Sequence, residues 1–159
     1  MWLIFELQVI FTLALTQPVV LSSEPVSLPL VSREDRTLGK RLGEAARSPA
    51  LNVVLVLKGV ESAGRPEVSW EVYVEPAGTT QVAQGPYLVG VFSLFDQRRT
   101  PAEFLFVLDN VIAAAGEKDL QVRFVPISGV VVEGQPQSAE VRSNVKIGEI
   151  SLGLEAARQ

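Results

Sequence analysis

The 159-residue sequence predicts a mainly-β domain, a β-sandwich or jelly-roll-like barrel with one short helix. Three observations carry that expectation. Short runs rich in Val, Leu, Ile and aromatic residues recur along the chain, separated by Gly, Pro and polar clusters. One run, Val68–Glu75, alternates strictly in period two. Helical spacing of apolar residues is found at Leu108, Val111, Ile112 and Ala115, within the mixed stretch Glu103–Gly116. A chain of this length, 47% apolar, can remove roughly 70% of its unfolded surface from water and so supports a core without disulfides.

Met1–Thr16 is apolar, with Glu6 as its only charge. It falls short of the ~20 residues that a helix needs to span a bilayer. It reads either as a weak signal-like segment for secretion or the periplasm, or as a strand or helix packed on the domain, or as a start placed inside a longer gene. Positions 17–49 read as an extended Pro-rich arm followed by a charged linker. Prolines 18, 25 and 29 forbid a helix and restrict Pro18–Val31 to an arm or edge strand. Ser32–Pro49 carries Arg33, Glu34, Asp35, Arg36, Lys40, Arg41, Glu44 and Arg47, a solvated loop with a helical turn near Leu38–Ala46.

The β-domain proper is expected over 50–155. Asn52–Lys58 is nearly continuously apolar, as in a strand buried on both faces. In Val68–Glu75, Val68, Trp70, Val72 and Val74 share the inward face, while Ser69, Glu71, Tyr73 and Glu75 share a wetted one. Trp70 then needs one buried partner for its indole N–H. Tyr87–Phe95 forms a strand in which Gly90 marks a bulge or a close approach. Phe104–Phe106 reads as a short strand. Leu108, Val111, Ile112 and Ala115 follow at helical spacing, with Asp109 or a neighbour as cap and Gly116 at the end. Leu120–Pro126 alternates with Leu120, Val122 and Phe124 inward. Gly129–Glu133 and Val145–Leu154 supply further strands across a loop containing Pro136.

Composition excludes most catalysis within this chain. With no cysteine there is no thiolate nucleophile and no Cys-based metal site, and with no histidine the commonest metal ligand and neutral-pH proton carrier are missing. A net charge of −4 gives no basic footprint for nucleic acid and no strong membrane attraction. Gly59-x-x-x-x-Gly64 lacks the lysine and hydroxyl of a phosphate loop and reads as a hairpin turn. A serine–lysine dyad using Lys40, Lys58, Lys118 or Lys146 has no supporting spacing. The carboxylate pairs Glu71/Glu75 and Glu34/Asp35 suit a solvated surface better than acid–base or calcium chemistry. No catalytic, cofactor-binding or metal residue is expected here.

The order of the segments resembles one family. Ser69-Trp70-Glu71-Val72 stands where the C-terminal domain of plant-type polyphenol oxidases, tyrosinases and catechol oxidases carries Lys-Phe-Asp-Val. Val54–Val60 is similar to the strand and Gly-Ile/Val turn before that tetrapeptide. Gly90-Val-Phe-Ser93 is similar to its Gly-Ser-Phe segment, and Phe106–Ile112 to its short helix. Leu120–Pro126 resembles its Val-x-(Val/Leu)-Val-Pro strand, and Val145–Ile150 its closing Val-x-Ile-Gly segment. Ser69 departs from the family's lysine, and no histidine-bearing copper region is present. The resemblance implies a non-catalytic shielding or regulatory domain. It would cover the active site of a separate domain whose two copper ions oxidise phenols and catechols to quinones. That dicopper domain would be the partner, joined in cis or met in trans, and Tyr87, Phe92 and Phe95 are the candidate partner-facing side chains. A secreted or envelope-associated β-sandwich binding module is the alternative, distinguished by cleavage near Ser22 on export.

Overall fold

The computed structural model describes residues 7–13, 17–22, 24–31, 36–62, 68–79, 87–94, 101–115, 119–128 and 145–157. The strands are β1 (Gln8–Thr12), β2 (Val19–Leu21), β3 (Val26–Val31), β4 (Leu51–Ser62), β5 (Val68–Pro76), β6 (Leu88–Phe92), β7 (Ala102–Val107), β8 (Leu120–Ser128), β9 (Val145–Ile147) and β10 (Glu149–Ala156). Two helices interrupt them, α1 (Arg36–Arg47) and α2 (Asp109–Ala115). The expected strand at Gly129–Glu133 lies outside the described residues.

The strands form two antiparallel sheets. One runs β3-β8-β5-β6; the other runs β1-β10-β4-β9-β2, with β7 also paired to β4. In the larger sheet β1 and β2 lie along one line and β10 and β9 along the next. Between β9 and β10, Gly148 N donates to the carbonyls of Lys58 and Gly59. Gly59 is therefore no turn residue. It is a bulge with φ of 64°, and β4 runs on through it to change partner from β10 to β9.

The inner faces meet in one core. Val53, Leu55, Leu57 and Val60 of β4 face Trp70, Val72 and Val74 of β5 and Val122 and Phe124 of β8. An aromatic cluster links the sheets at one corner, with Phe92 of β6 centred 5.6 Å from Trp70, 5.1 Å from Phe104 and 6.3 Å from Phe124. Gly90 permits that corner, because a Cβ there would lie 2.6 Å from Cδ1 of Phe106. The close approach read from the sequence is thus a contact between β6 and β7.

The charged segment, read as a loop with a helical turn near Leu38–Ala46, holds a twelve-residue helix, α1. Leu42 and Ala45, three apart, bury one face in the core and leave Arg41, Glu44 and Arg47 in solvent. Arg47 closes the helix by donating from Nε to the Gly43 carbonyl at 3.1 Å. In α2, Asp109 does not cap its own helix as expected. Its Oδ1 accepts from Val53 N at 2.7 Å while Leu108 N donates to Val53 O at 2.7 Å, which pins the start of α2 to β4. Pro18–Val31 behaves as read, with β3 an edge strand carrying Pro29.

Candidate functional site

Among the described residues, the outward face of the four-stranded sheet holds most of the buried polar side chains. Register places Tyr73 opposite Arg123 and Glu75 opposite Gln121, all pointing away from the core. A wetted surface was expected for Glu71 and Glu75, yet Glu75 is 2% and Arg123 3% exposed. The Pro76–Thr79 turn folds back onto this face at Gln121.

Its bonds form one network. Glu75 Oε1 accepts from Arg123 Nε at 2.5 Å and from Gln121 Nε2 at 3.0 Å, and Glu75 Oε2 accepts from Arg123 Nη2 at 3.0 Å. Gln121 spans to the turn, its Nε2 donating to Thr79 O at 3.0 Å and its Oε1 accepting from Gly78 N at 3.2 Å. Ala77 N donates to Asp119 O at 2.8 Å, and Thr79 Oγ1 to Pro76 O at 2.7 Å. The Arg123 guanidinium lies 4.8 Å from the centre of the Tyr73 ring, and Tyr73 Oη donates to Glu71 Oε2 at 2.5 Å. Burial, followed by the hydrogen bond and charge of Glu71, pushes the Tyr73 phenol up to about 12; Arg123 opposes this and Glu75 adds to it. Glu75 is paired with Arg123, and Glu71 is held by the Tyr73 hydroxyl. The network is a rigid clamp rather than a set of free acids and bases.

Of the tetrapeptide positions, Trp70 and Val72 face the core, and Ser69 and Glu71 lie half-buried on the outer face. Trp70 Nε1 has no hydrogen-bond partner among the described residues, contrary to the partner expected for it. Among the candidate partner-facing residues, Phe92 is a correction: its ring is the centre of the aromatic cluster. Tyr87 is half-buried against the core, and Phe95 lies outside the described residues. What β6 shows to solvent instead is Leu88 and Val91, on the same outward face as Tyr73 and Glu71. Alternation through Gly90 would have found Val91, but the register shift between Val72 and Tyr73 that brings out Leu88 has no local sequence signal.

A cleft of about 230 Å³ between α1 and the ends of β4 and β10 is lined by Arg41, Glu44, Ala45, Ser48, Leu51 and Leu154. It is smaller than the ~300–1,000 Å³ usual for small-molecule sites. Copper does not fit this chain: the sequence holds no histidine or cysteine, and no group of three or more acidic residues suited to a metal occurs among the described residues. No described helix is long and apolar enough to cross a membrane.

No protein-family model matches the chain, and no curated protein matches it. Solved structures do. Recombinantly expressed latent aurone synthase (polyphenol oxidase) is 17% identical over 99% of this chain, with a TM-score of 0.43. The same enzyme from natural source is 16% identical over 99%, with a TM-score of 0.45, and the recombinantly expressed enzyme co-crystallized with hexatungstotellurate(VI) 16% over 97%, at 0.44. These structures are polyphenol oxidases. The chain spans only 28–29% of their length, so its likeness is to one part of a polyphenol oxidase chain.

Proposed function

We propose that this chain is the non-catalytic C-terminal shielding domain of a polyphenol oxidase, seated over the active-site mouth of a dicopper domain that oxidises phenols to quinones. The reading rests first on the order of the motifs, from Val54 through Ser69-Trp70-Glu71-Val72 to Val145–Ile150. The geometry adds the observation that carries it: edge strand β6 presents Leu88 and Val91 on an outward face whose neighbouring polar groups are already satisfied. Exposed apolar side chains beside polar groups that are already hydrogen-bonded suit a close-fitting protein partner. With no histidine, the chain's part is to exclude substrate, not to transform it.

The test is to titrate the folded chain against a dicopper phenol oxidase domain and follow catechol oxidation. Inhibition that saturates with binding supports the shield, and Leu88→Glu or Val91→Glu should weaken both together. A folded chain that neither binds nor inhibits overturns it and favours a separate binding module.

A further inference from the structure

An edge strand exposes a row of unpaired backbone N–H and C=O groups, and folds that avoid pairing with other chains blunt such edges. Among the described residues, the strands at sheet edges are β1, β2, β3, β6 and β7. All but β7 are blunted. β1 slips register between Val9 and Phe11, and β3 carries Pro29 and slips between Pro29 and Val31. β6 leaves Val89 unpaired between Leu88 and Gly90, and β2 is only three residues long. In β7 the register with β4 runs unbroken from Phe104 to Val107. The strand contains no proline or glycine, and Glu103 is its only charge.

The backbone of β7 indicates what pairs with its open edge. Leu108 N donates to Val53 O, so by alternation Phe106 and Phe104 turn their N–H and C=O groups to β4. Val107, Leu105 and Glu103 turn theirs to the edge. Leu105 and Val107 are 45% and 54% exposed on the outer face, and Phe104 is half-buried on the inner one. A second β7 laid antiparallel about a two-fold axis at Leu105 meets all of these groups. Leu105 faces Leu105 of the second copy and Val107 faces its Glu103, each pair exchanging both N–H···O bonds. Phe104 then lies beside Phe106 of the second copy as an aromatic cross-strand pair. The next register that joins the same backbone groups, centred on Phe106, sets Glu103 against Asp109, acid against acid, and is disfavoured.

We infer that β7 is the pairing edge of a two-fold dimer, in which two copies of this chain join their larger sheets through antiparallel β7 strands centred on Leu105. The inference holds whether or not β6 faces a dicopper domain, since it concerns the other sheet.

Sedimentation velocity of the full chain across a dilution series should show a monomer–dimer equilibrium. Leu105→Lys should raise the dissociation constant by about tenfold or more, with the β-sheet circular dichroism retained. Mixing Leu105→Lys with Leu105→Glu should restore the dimer, because only this register brings the two positions face to face. A folded chain that stays monomeric at the highest concentration overturns the inference. So does a dimer indifferent to Leu105→Lys, or one that the mixture fails to restore. A monomeric chain that binds a dicopper domain and loses that binding on Leu105→Lys also overturns it, and makes that domain the occupant of the edge.

Discussion

Glu75 and Arg123 show how a charged pair can sit behind a sheet. Each is buried, and each is held by more than the other, through Gln121 and the ring of Tyr73. Removing one partner leaves a buried charge without compensation. Arg123→Met is therefore expected to cost about 3–5 kcal/mol in denaturant unfolding, whereas the double replacement Glu75→Leu/Arg123→Met should recover much of that loss. A double variant no more stable than Arg123→Met would show that the pair is not the unit. Tyr73 makes a separate prediction. Its phenol has a folded-state pKa of about 12 against the ordinary 10.0. Between those values the folded chain keeps a proton that the unfolded chain has lost. The contribution is complete below about 10 and is lost as pH rises through about 12. Tyr73→Phe should flatten this alkaline decline, measured as unfolding midpoints across that range; an unchanged decline would assign it to other groups.

Elements in this fold are set by contacts between them as much as by their own sequences. β6 and β7 can meet only because Gly90 leaves room for the Phe106 ring. Gly90→Val is expected to destabilise by about 1–3 kcal/mol, with partial rescue by Phe106→Leu in a double-mutant cycle. Equal losses with and without that rescue would remove the steric explanation. α2 is joined to β4 by the Asp109 carboxylate on Val53 N. Asp109→Ala should cost about 1–3 kcal/mol by leaving that N–H unsatisfied, and hydrogen exchange at Val53 should quicken. Helix α1 carries a different lesson. Eight charges in eighteen residues suggested solvent, but Leu42, Ala45 and Ala46 put an apolar stripe on one side of them. The two glycines obscured that stripe in the sequence.

At the scale of the whole molecule, two sheets enclose one core and leave two unlike outer faces. One carries a hydrogen-bonded polar network beside Leu88 and Val91; the other carries an apolar strip with Leu7 against Gly153. Leu88→Glu and Val91→Glu fall on side chains that are 39% and 52% exposed, opposite Tyr73 and Glu71 in register. They should leave stability within about 0.5 kcal/mol of the parent while weakening inhibition of a dicopper domain. Loss of stability without loss of inhibition would move the partner surface elsewhere.

Period-two alternation placed Trp70, Val72, Val74, Val122 and Phe124 in the core, because side-chain direction along a strand is a local property of the backbone. Proline density made β3 an edge strand for an equally local reason, the missing N–H. The missing histidine and cysteine decided, before any coordinates, that this chain holds no dicopper site of the usual ligands. Tertiary structure decided the rest. Whether the second face of β5 is wet or dry depends on segments far away in the chain, such as the β8 residues Gln121 and Arg123 that meet Glu75. Whether Phe92 faces a partner or the core depends on the strand that lies across from it. Burial is a relation between segments far apart in the chain, and alternation can assign a face without saying what will cover it.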